Sequence, residues 1–527
     1  MFTSPRVLLF SFLLTLPVAA LAADSAPAAQ WWADVTALAN DGMEGRLTGS
    51  PGYDRAADYV ISRLKAEGLK PASVNGYLQP VAFEQQLVDQ AASHADLVAA
   101  DGTATALKVG DDMLITAGGG PRPDMVDAPL VFIGYGLHLP KQGHNDFADQ
   151  DLKGKIVVVL SGGPADISGA VKSNARFERN EALGKLGALG IISLTTPKQV
   201  EILWERQKLL ARGPGMYLAD PGLRDTNQPF FTATFDPGQS ELLFRGSGHS
   251  FAELSALADD SKLLPGFALP FRLKAAIAAT RSAVTSPNIV ARLDGSDPAL
   301  KSQVVAVSAH LDHLGIGAPV KGDTIYNGAM DDASGVATVL DIAHRLKHGP
   351  PLRRSILFLF FTAEEKGLLG SSYYARRPTV PKGSIVADLN FDMPLPLWPL
   401  KTVYAPGQDE SSLGGDARTV AAARGLEMVP DPLPDRNVFI RTDQFSFVRE
   451  GVPALVFKFG FAKGTPQFAI EHDWRANRYH SPSDDLDQPV MKEEAVKLDG
   501  FVAALAAHVA NADDRPQFLP GSIFRKD

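Results

Sequence analysis

Not one of the 527 residues is a cysteine. Disulfides, cysteine-held iron–sulfur clusters, thiol catalysis and a lipid-modified N-terminal cysteine are therefore excluded together, and any bound metal must be held mainly by His, Asp and Glu. An excess of basic charge is also missing. Lys and Arg number 51 against 60 Asp and Glu, giving a formal net charge of -9 and a pI near 5.7. That balance speaks against nucleic acid or an anionic membrane surface as a partner, because both demand clustered cations. No apolar run approaches the roughly 20 residues of a membrane span. The longest, Val7 to about Leu16, follows Arg6 and precedes Ala20-Leu21-Ala22, the pattern of an export signal with a small-residue cleavage site. Residues 1–23 are read as a signal peptide. The mature chain is read as exported, periplasmic or extracellular, with no stable membrane anchor.

A chain of 527 residues is too long for one ordinary core, so two or more domains are expected. An Ala-rich stretch at Ala22–Ala29 reads as flexible. From Trp31 to about Leu69 the spacing predicts two helices around the loop Met43–Gly49. Between roughly Phe83 and Leu273 the texture changes to short β-rich runs such as Ala128–Tyr135 and Lys155–Leu160, punctuated by Gly and Pro. After Ser286 apolar strands and helices alternate: Val304–Ala309, Ala333–Leu346, Ser355–Phe361, Leu368–Arg376, Ile385–Phe391, Gly415–Arg424, Ala454–Phe459. This predicts an α/β fold, a mixed and mostly parallel sheet flanked by helices, with ligand groups gathered at the carboxyl ends of strands. The domain reading is 24–85 and 274–527 for the α/β domain, with 86–273 as a smaller, β-rich α/β insertion.

Acidic residues and histidines stand at the ends of those runs. His310 closes the first strand, and Asp312, two positions on, falls on the same strand face, where its carboxylate can accept the imidazole's second N–H. His313 points off that face and reads as a polar loop residue. In Asn327-Gly328-Ala329-Met330-Asp331-Asp332 a glycine turn runs into a helix start. One aspartate suffices to cap a helix, so Asp332 is read as the cap and Asp331 as a carboxylate able to bridge two metals about 3.5–4 Å apart. After Ile356–Phe361 come Glu364 and Glu365, whose side chains leave the chain in different directions. Glu365 is read as a ligand and Glu364 as a general base that takes a proton from water and passes it to a leaving nitrogen. Asp392 ends the strand at Phe391. His480 lies in a loop before an expected helix, with Ser483 or Asp484 as its cap. Taken singly, each of these has a plainer reading as a cap, a turn former or a surface histidine; the series gives them weight.

That series, His310-x-Asp312, Gly-Ala-Met-Asp331-Asp332-Ala-Ser-Gly, Glu364-Glu365-x-Gly-Leu-x-Gly-Ser, Asp392-Met and Tyr-His480-Ser-Pro, resembles the di-zinc aminopeptidase family that includes bacterial leucyl aminopeptidases and glutamate carboxypeptidase II. The resemblance covers Ser286 to the end and the segment Asp41–Gly49. It implies a zinc exopeptidase-like fold and a cofactor of two Zn2+, one held by His310 and Asp392, the other by Glu365 and His480, with Asp331 between them. Glu364 would be the base, and Asp312 would orient His310. It also implies that the middle tract is similar to a protease-associated domain. In Arg441-Thr442-Asp443-Gln444, threonine and glutamine stand where relatives commonly carry serine and histidine, which bears on substrate contacts.

The expected activity is hydrolysis of N-terminal peptide bonds in peptides with a free N-terminus. Glutaminyl cyclisation and carboxypeptidase action are alternatives on the same scaffold. The latter needs a basic pocket, for which Arg436 and Arg441 are candidates. Phe445, Phe447, Phe459 and Phe461 are read as core rather than as a subsite.

Overall fold

The computed structural model describes residues 24–116, 118–224 and 226–525. The expected signal peptide, residues 1–23, lies outside them. Among the described residues no helix is long and apolar enough to cross a membrane.

Helix α1 (Ala26–Leu38) begins inside the Ala-rich stretch, which corrects the expectation of flexibility there. The Ser25 hydroxyl accepts the Ala28 N–H, and Ala28 is wholly buried: a capped start followed by core residues outweighs the stretch's bland composition. Helix α2 (Pro51–Ala66) follows the predicted loop, with the Ser50 hydroxyl accepting the Tyr53 N–H.

Seven strands form the path of the main sheet: β1 (Leu78–Val88), β2 (Gly215–Leu218), β3 (Ala279–Leu293), β4 (Val304–His310), β5 (Ser355–Phe361), β6 (Ile385–Phe391) and β7 (Ala454–Val456). Their spatial order is β2-β1-β3-β5-β4-β6-β7, and Lys70–Pro71 pairs with β3 off that path. The half from β5 to β7 is parallel; β2, β1, β3 and β5 pair antiparallel. Every residue of β4, β5 and β6 is buried, which explains why each is mainly apolar instead of alternating; the polar Ser308, Asp388 and Asn390 within them bond to one another. On one face pack α1, helix α3 (Ser334–His348) and helix α5 (Lys492–Asn511), through Trp31, Val336, Leu340, Phe501 and Leu505. The other face is covered by helix α4 (Leu369–Arg376) and by Phe445 and Phe447. Phe459 and Phe461 lie in the first of these two cores, so all four phenylalanines are packing residues.

A second sheet lies in the middle tract, its strand Gly266–Ala276 running three residues past the expected boundary at 273. Its order is Ala104–Leu107, His94–Ala99, Gly266–Ala276, Met125–Ile133, Ile156–Leu160, Gly190–Leu194, Phe231–Phe235, Met113–Ile115, with the four strands from Met125–Ile133 to Phe231–Phe235 parallel. It has its own cores, built on Phe132, Val158, Ile192 and Phe231 on one side and on Val157, Leu183 and Ile191 on the other. The two sheets are joined by the ribbon of β1 and β3, paired from Val88↔Ala279 to Leu78↔Ile289. The middle tract also returns one strand, β2, to the edge of the main sheet.

Candidate metal centre

Because β5, β4 and β6 run parallel side by side, their carboxyl ends open on one edge of the sheet. His310 is the last residue of β4, Asp392 follows β6, and Glu364 and Glu365 come just after β5. Two connections complete the group. The turn before α3 carries Asp331 and Asp332 across a cis peptide, and the loop ahead of α5 carries His480. Glycine is required where backbone crowds this edge. Gly328 has φ +62, and a Cβ on it would lie 2.2 Å from the Asp331 carbonyl oxygen and 2.6 Å from the His313 ring. A Cβ on Gly370 would lie 2.0 Å from the Thr362 carbonyl oxygen, so the helix after the glutamates can pack this closely only without a side chain there.

The side chains converge on Asp331. Its Oδ1 lies 3.3 Å from His310 Nε2, and its Oδ2 lies 3.3 Å from His480 Nε2. His480 Nε2 is also 3.2 Å from Glu365 Oε2. Donor atoms of His310, Asp331 and Asp392 lie within 4.8 Å of one another, and so do those of His313, Asp331 and Glu365. Asp331 is thus common to two adjoining donor groups, each large enough for one cation. His310 Nε2, His313 Nε2 and Asp331 Oδ2 are buried and make no hydrogen bond, an expensive arrangement for polar atoms in a protein interior.

Electrostatics point the same way. Burial, joined by the charges of Asp392 and Glu365, pushes the Glu364 carboxyl well above its ordinary range. Burial, with Asp392 and Asp331 alongside, does the same to Asp332. Burial opposes ionisation of Asp331 and Glu365 too, yet the surrounding imidazoles hold both below the usual carboxylate range. Burial likewise disfavours charge on His310 and His480, but Glu364 and Asp331 beside the first, and Glu365 and Asp331 beside the second, raise both well above their ordinary value. Carboxylates outnumber cationic partners here, so the imidazoles are driven to carry positive charge. A divalent cation between them would remove that imbalance, and the His and carboxylate donors suit zinc.

Several side chains take roles that the sequence does not announce. His310 Nδ1 lies 3.0 Å from the backbone carbonyl of Asp312, while the Asp312 carboxylate is 4.0 Å away. The carbonyl therefore orients the ring, in place of the expected carboxylate. Asp312 instead accepts the Glu364 N–H at 3.0 Å and the Thr48 hydroxyl at 3.1 Å, anchoring the turn that carries the two glutamates. His313 is not a solvated loop residue: it is fully buried, with Nδ1 2.7 Å from Glu365 Oε1. Asp484 caps no helix, since α5 begins only at Lys492; its carboxylate accepts the N–H groups of Met330 and Asp331. Asp332 accepts from Gly335 N–H, as a cap would, and also from Met393 N–H.

Arg46 is wholly buried and donates to the carbonyls of Leu38, Leu311, Asn327 and Gly328, tying the N-terminal segment to the chain on both sides of the centre. Lys458, also buried, lies 3.8 Å from Asp392 Oδ1 and donates to the Asp392 carbonyl. The only sequence signal for Arg46 is the Gly-Arg-Leu-Thr-Gly run.

Two spaces flank the centre. One is a cavity of about 40 Å³ lined by Glu364, Asp392, Arg436, Arg441, Lys458 and Arg475, among others. The other, about 790 Å³, opens beside Glu365 and His480 and is bordered by Leu209, Leu210 and Ile115 of the middle tract and by Tyr326. The middle tract touches the centre's surroundings directly. Glu201 pairs with Arg436 at 3.3 Å and Arg441 at 3.1 Å, and Arg206 donates to the carbonyls of Ala476, near the end of the helix Pro466–Asn477, and of Tyr479, directly before His480.

Residues 288–506 match the family model described as Peptidase family M28. Probable leucine aminopeptidase 2 of Aspergillus fumigatus is 31% identical over 176 residues, 32% of this chain and 32% of that protein. Aminopeptidase YwaD of Bacillus subtilis is 26% identical over 221 residues, 41% of this chain and 43% of its own length. The chain thus spans less than half the length of these curated relatives. Among solved structures, the aminopeptidase from Aneurinibacillus sp. strain AM-1 is similar in fold, with a TM-score of 0.53 at 19% identity, covering 95% of this chain and 96% of that one. The segment similar to peptidase family M28, residues 288–506, contains every donor of the buried centre.

Proposed function

We propose that this protein is an exported metallo-aminopeptidase that hydrolyses the N-terminal peptide bond of peptides at a centre of two zinc ions. The observation that carries the reading is Asp331, whose two oxygens face different histidines and which belongs to both donor groups. His310 and Asp392 would hold one ion, Glu365 and His480 the other, with Asp331 shared; His313 fixes Glu365 from behind. When bound there, such a pair would make a water more acidic and polarise the scissile carbonyl.

The chain's own residues do the rest. Glu364 borders the small cavity with Asp331 and Asp392, and its raised pKa suits a base that takes a proton from the attacking water and returns it to the leaving amine. The Asp312 carboxylate, gripping the Glu364 N–H, positions that base. The N-terminal residue of the substrate would enter the small cavity, and the following residues would lie in the wider cleft that the middle tract, read as protease-associated-like, helps to enclose. Export rests on the leader-like residues 1–23.

The test is Glu364→Gln in protein of measured zinc content. Zinc should stay bound while turnover on aminoacyl amides falls by about 10²–10⁴-fold; full activity would remove Glu364 from this role. Stripped protein that regains full activity with one equivalent of zinc would argue against a pair.

The carboxypeptidase reading keeps one observation in its favour, since Arg436, Arg441, Arg475 and Lys458 line the same cavity as Glu364. Two of these arginines are already engaged by Glu201, and Glu471 holds Arg436 and Arg475, so the basic lining is largely neutralised within the protein. Cleavage of N-acetylated peptides with no cleavage of C-amidated ones would reverse the assignment.

A further inference from the structure

Away from the buried centre, three side chains from two separate segments converge at the surface. Glu67 caps the C-terminal end of α2, and His344 and His348 lie one turn apart near the end of α3. His344 Nδ1 is 3.1 Å from both Glu67 carboxylate oxygens, and His348 Nε2 is 3.1 Å from Oε2. The two rings stand 4.6 Å apart between centroids, and one donor atom from each of the three residues falls within a common 4.8 Å. We propose that Glu67, His344 and His348 form a second, peripheral metal site that takes a zinc-class transition ion.

The separations that allow two hydrogen bonds also suit such an ion. Metal–ligand bonds of about 2.0–2.1 Å in a tetrahedron place neighbouring donors roughly 3.3 Å apart, close to the 3.1 Å separating each imidazole nitrogen from the carboxylate. Histidines at i and i+4 on one helix face are a recurrent way to present two nitrogens to zinc. His348 stands in the last turn of α3, where the helix's partial negative charge favours a cation. Of the two cations between them in sequence, Arg345 pairs with Asp341 and Lys347 donates to the Gly68 carbonyl, so both are directed to other partners than the Glu67 carboxylate. Two nitrogens and a carboxylate select zinc, nickel, copper or cobalt over calcium and magnesium, which prefer oxygen shells.

The rings are 55% and 61% exposed, while Glu67 is 16% exposed. Water can therefore complete the coordination, and binding should be weaker than at the buried centre. The site has a structural consequence. Glu67 precedes the whole middle tract and the histidines follow it, at separations of 277 and 281 residues. An ion held there clamps α2 onto α3, the helix that starts directly after the Asp331–Asp332 turn, and closes a very long loop.

The experiment is a zinc chloride titration by calorimetry on full-length protein stripped with chelator, comparing wild type, His344→Gln/His348→Gln and Glu67→Gln. Wild type should take up one more equivalent than either variant, in the weakest step, and should show an increment of zinc-dependent Tm that both variants lack. Equal stoichiometry in all three would overturn the proposal. If the double variant does not fold by circular dichroism, Glu67→Gln decides alone. Peptidase activity is not the readout, so failure of the aminopeptidase reading would leave this count unaffected.

Discussion

The two sheets are built alike and end differently. Each has a parallel half with buried apolar strands, yet the parallel strands of the second sheet run out into Gly134-Tyr135, Ser161-Gly162, Thr195-Thr196 and Asp236-Pro237. There the polar groups find ordinary partners: the Ser161 hydroxyl donates to Gln199, the Thr196 hydroxyl to Asp259, and Asp236 accepts from Gly238 N–H. In the main sheet the corresponding ends deliver His310, Glu364, Glu365 and Asp392 into one volume, with polar atoms left unmatched. Architecture is shared, so chemistry resides in the few residues past each strand end.

The sharpest way to break this contrast is to exchange the roles of two aspartates. Asp331→Ala should abolish detectable hydrolysis and lower the zinc content of purified protein, because it removes a donor from both groups. Asp236→Ala, directly after a parallel strand of the second sheet, should leave kcat/KM and metal content unchanged and shift stability by no more than about 0.5 kcal/mol. Comparable losses from the two would erase the distinction.

Next in size is the link between the sheets. Arg206→Ala removes the donors that hold the His480 loop from the middle tract. Loss of a charged hydrogen bond costs about 1.5–3 kcal/mol, and if part of that reaches the loop, kcat/KM should drop roughly tenfold. No change would make the middle tract a bystander to the centre. Chelation should separate the sheets again: amide hydrogen exchange is expected to quicken around Asp331, Glu365 and His480 while Ile156–Leu160 and Gly190–Leu194 keep their protection. Equal acceleration in both would contradict a metal confined to the main sheet.

The smallest effect concerns the core beneath α3. Asp499 is wholly buried, and burial together with Asp341 raises its carboxyl well above the usual value. A raised folded-state pKa means that the unfolded chain ionises first. Asp499 therefore costs stability increasingly as pH climbs from its unfolded pKa near ~3.9 toward the raised folded value. Asp499→Asn should remove that slope and add about 1 kcal/mol at neutral pH, read from denaturant midpoints at pH 4 and pH 7. An equal change at the two pH values would refute the explanation.

Much of the main sheet was legible because burial on both faces writes itself as apolar runs. Ser355–Phe361 and Ile385–Phe391 coincide with β5 and β6 residue for residue, and Val304–Ala309 falls one short of β4. The expected Ala454–Phe459 is instead two short strands that diverge to different sheets, a break that periodicity does not mark. Of the five expected donors, His310, Glu365 and Asp392 stood out because carboxylates and histidines at the ends of such runs are unusual, while Asp331 and His480 gained weight only from the series. His313, Arg46 and Asp484 did not stand out, for a physical reason. A histidine's burial is set by what folds over it, and the partners of Arg46 and Asp484 are backbone carbonyls and N–H groups, which carry no residue identity. The same applies to His310, oriented by a carbonyl where a carboxylate had been the better guess.

The ribbon of β1 and β3 gives the middle tract a further property. Its entry and exit, Val88 and Ala279, sit opposite each other at one rung of the ladder, so everything between them is a cassette spliced in at a single point. Replacing that cassette with a short turn would leave all the donors in place. It would also strip away the edge strand β2, the Glu201 contacts and the Arg206 clamp in one operation. On the proposed function, exchanging the cassette would alter access to the centre while leaving its donors unchanged.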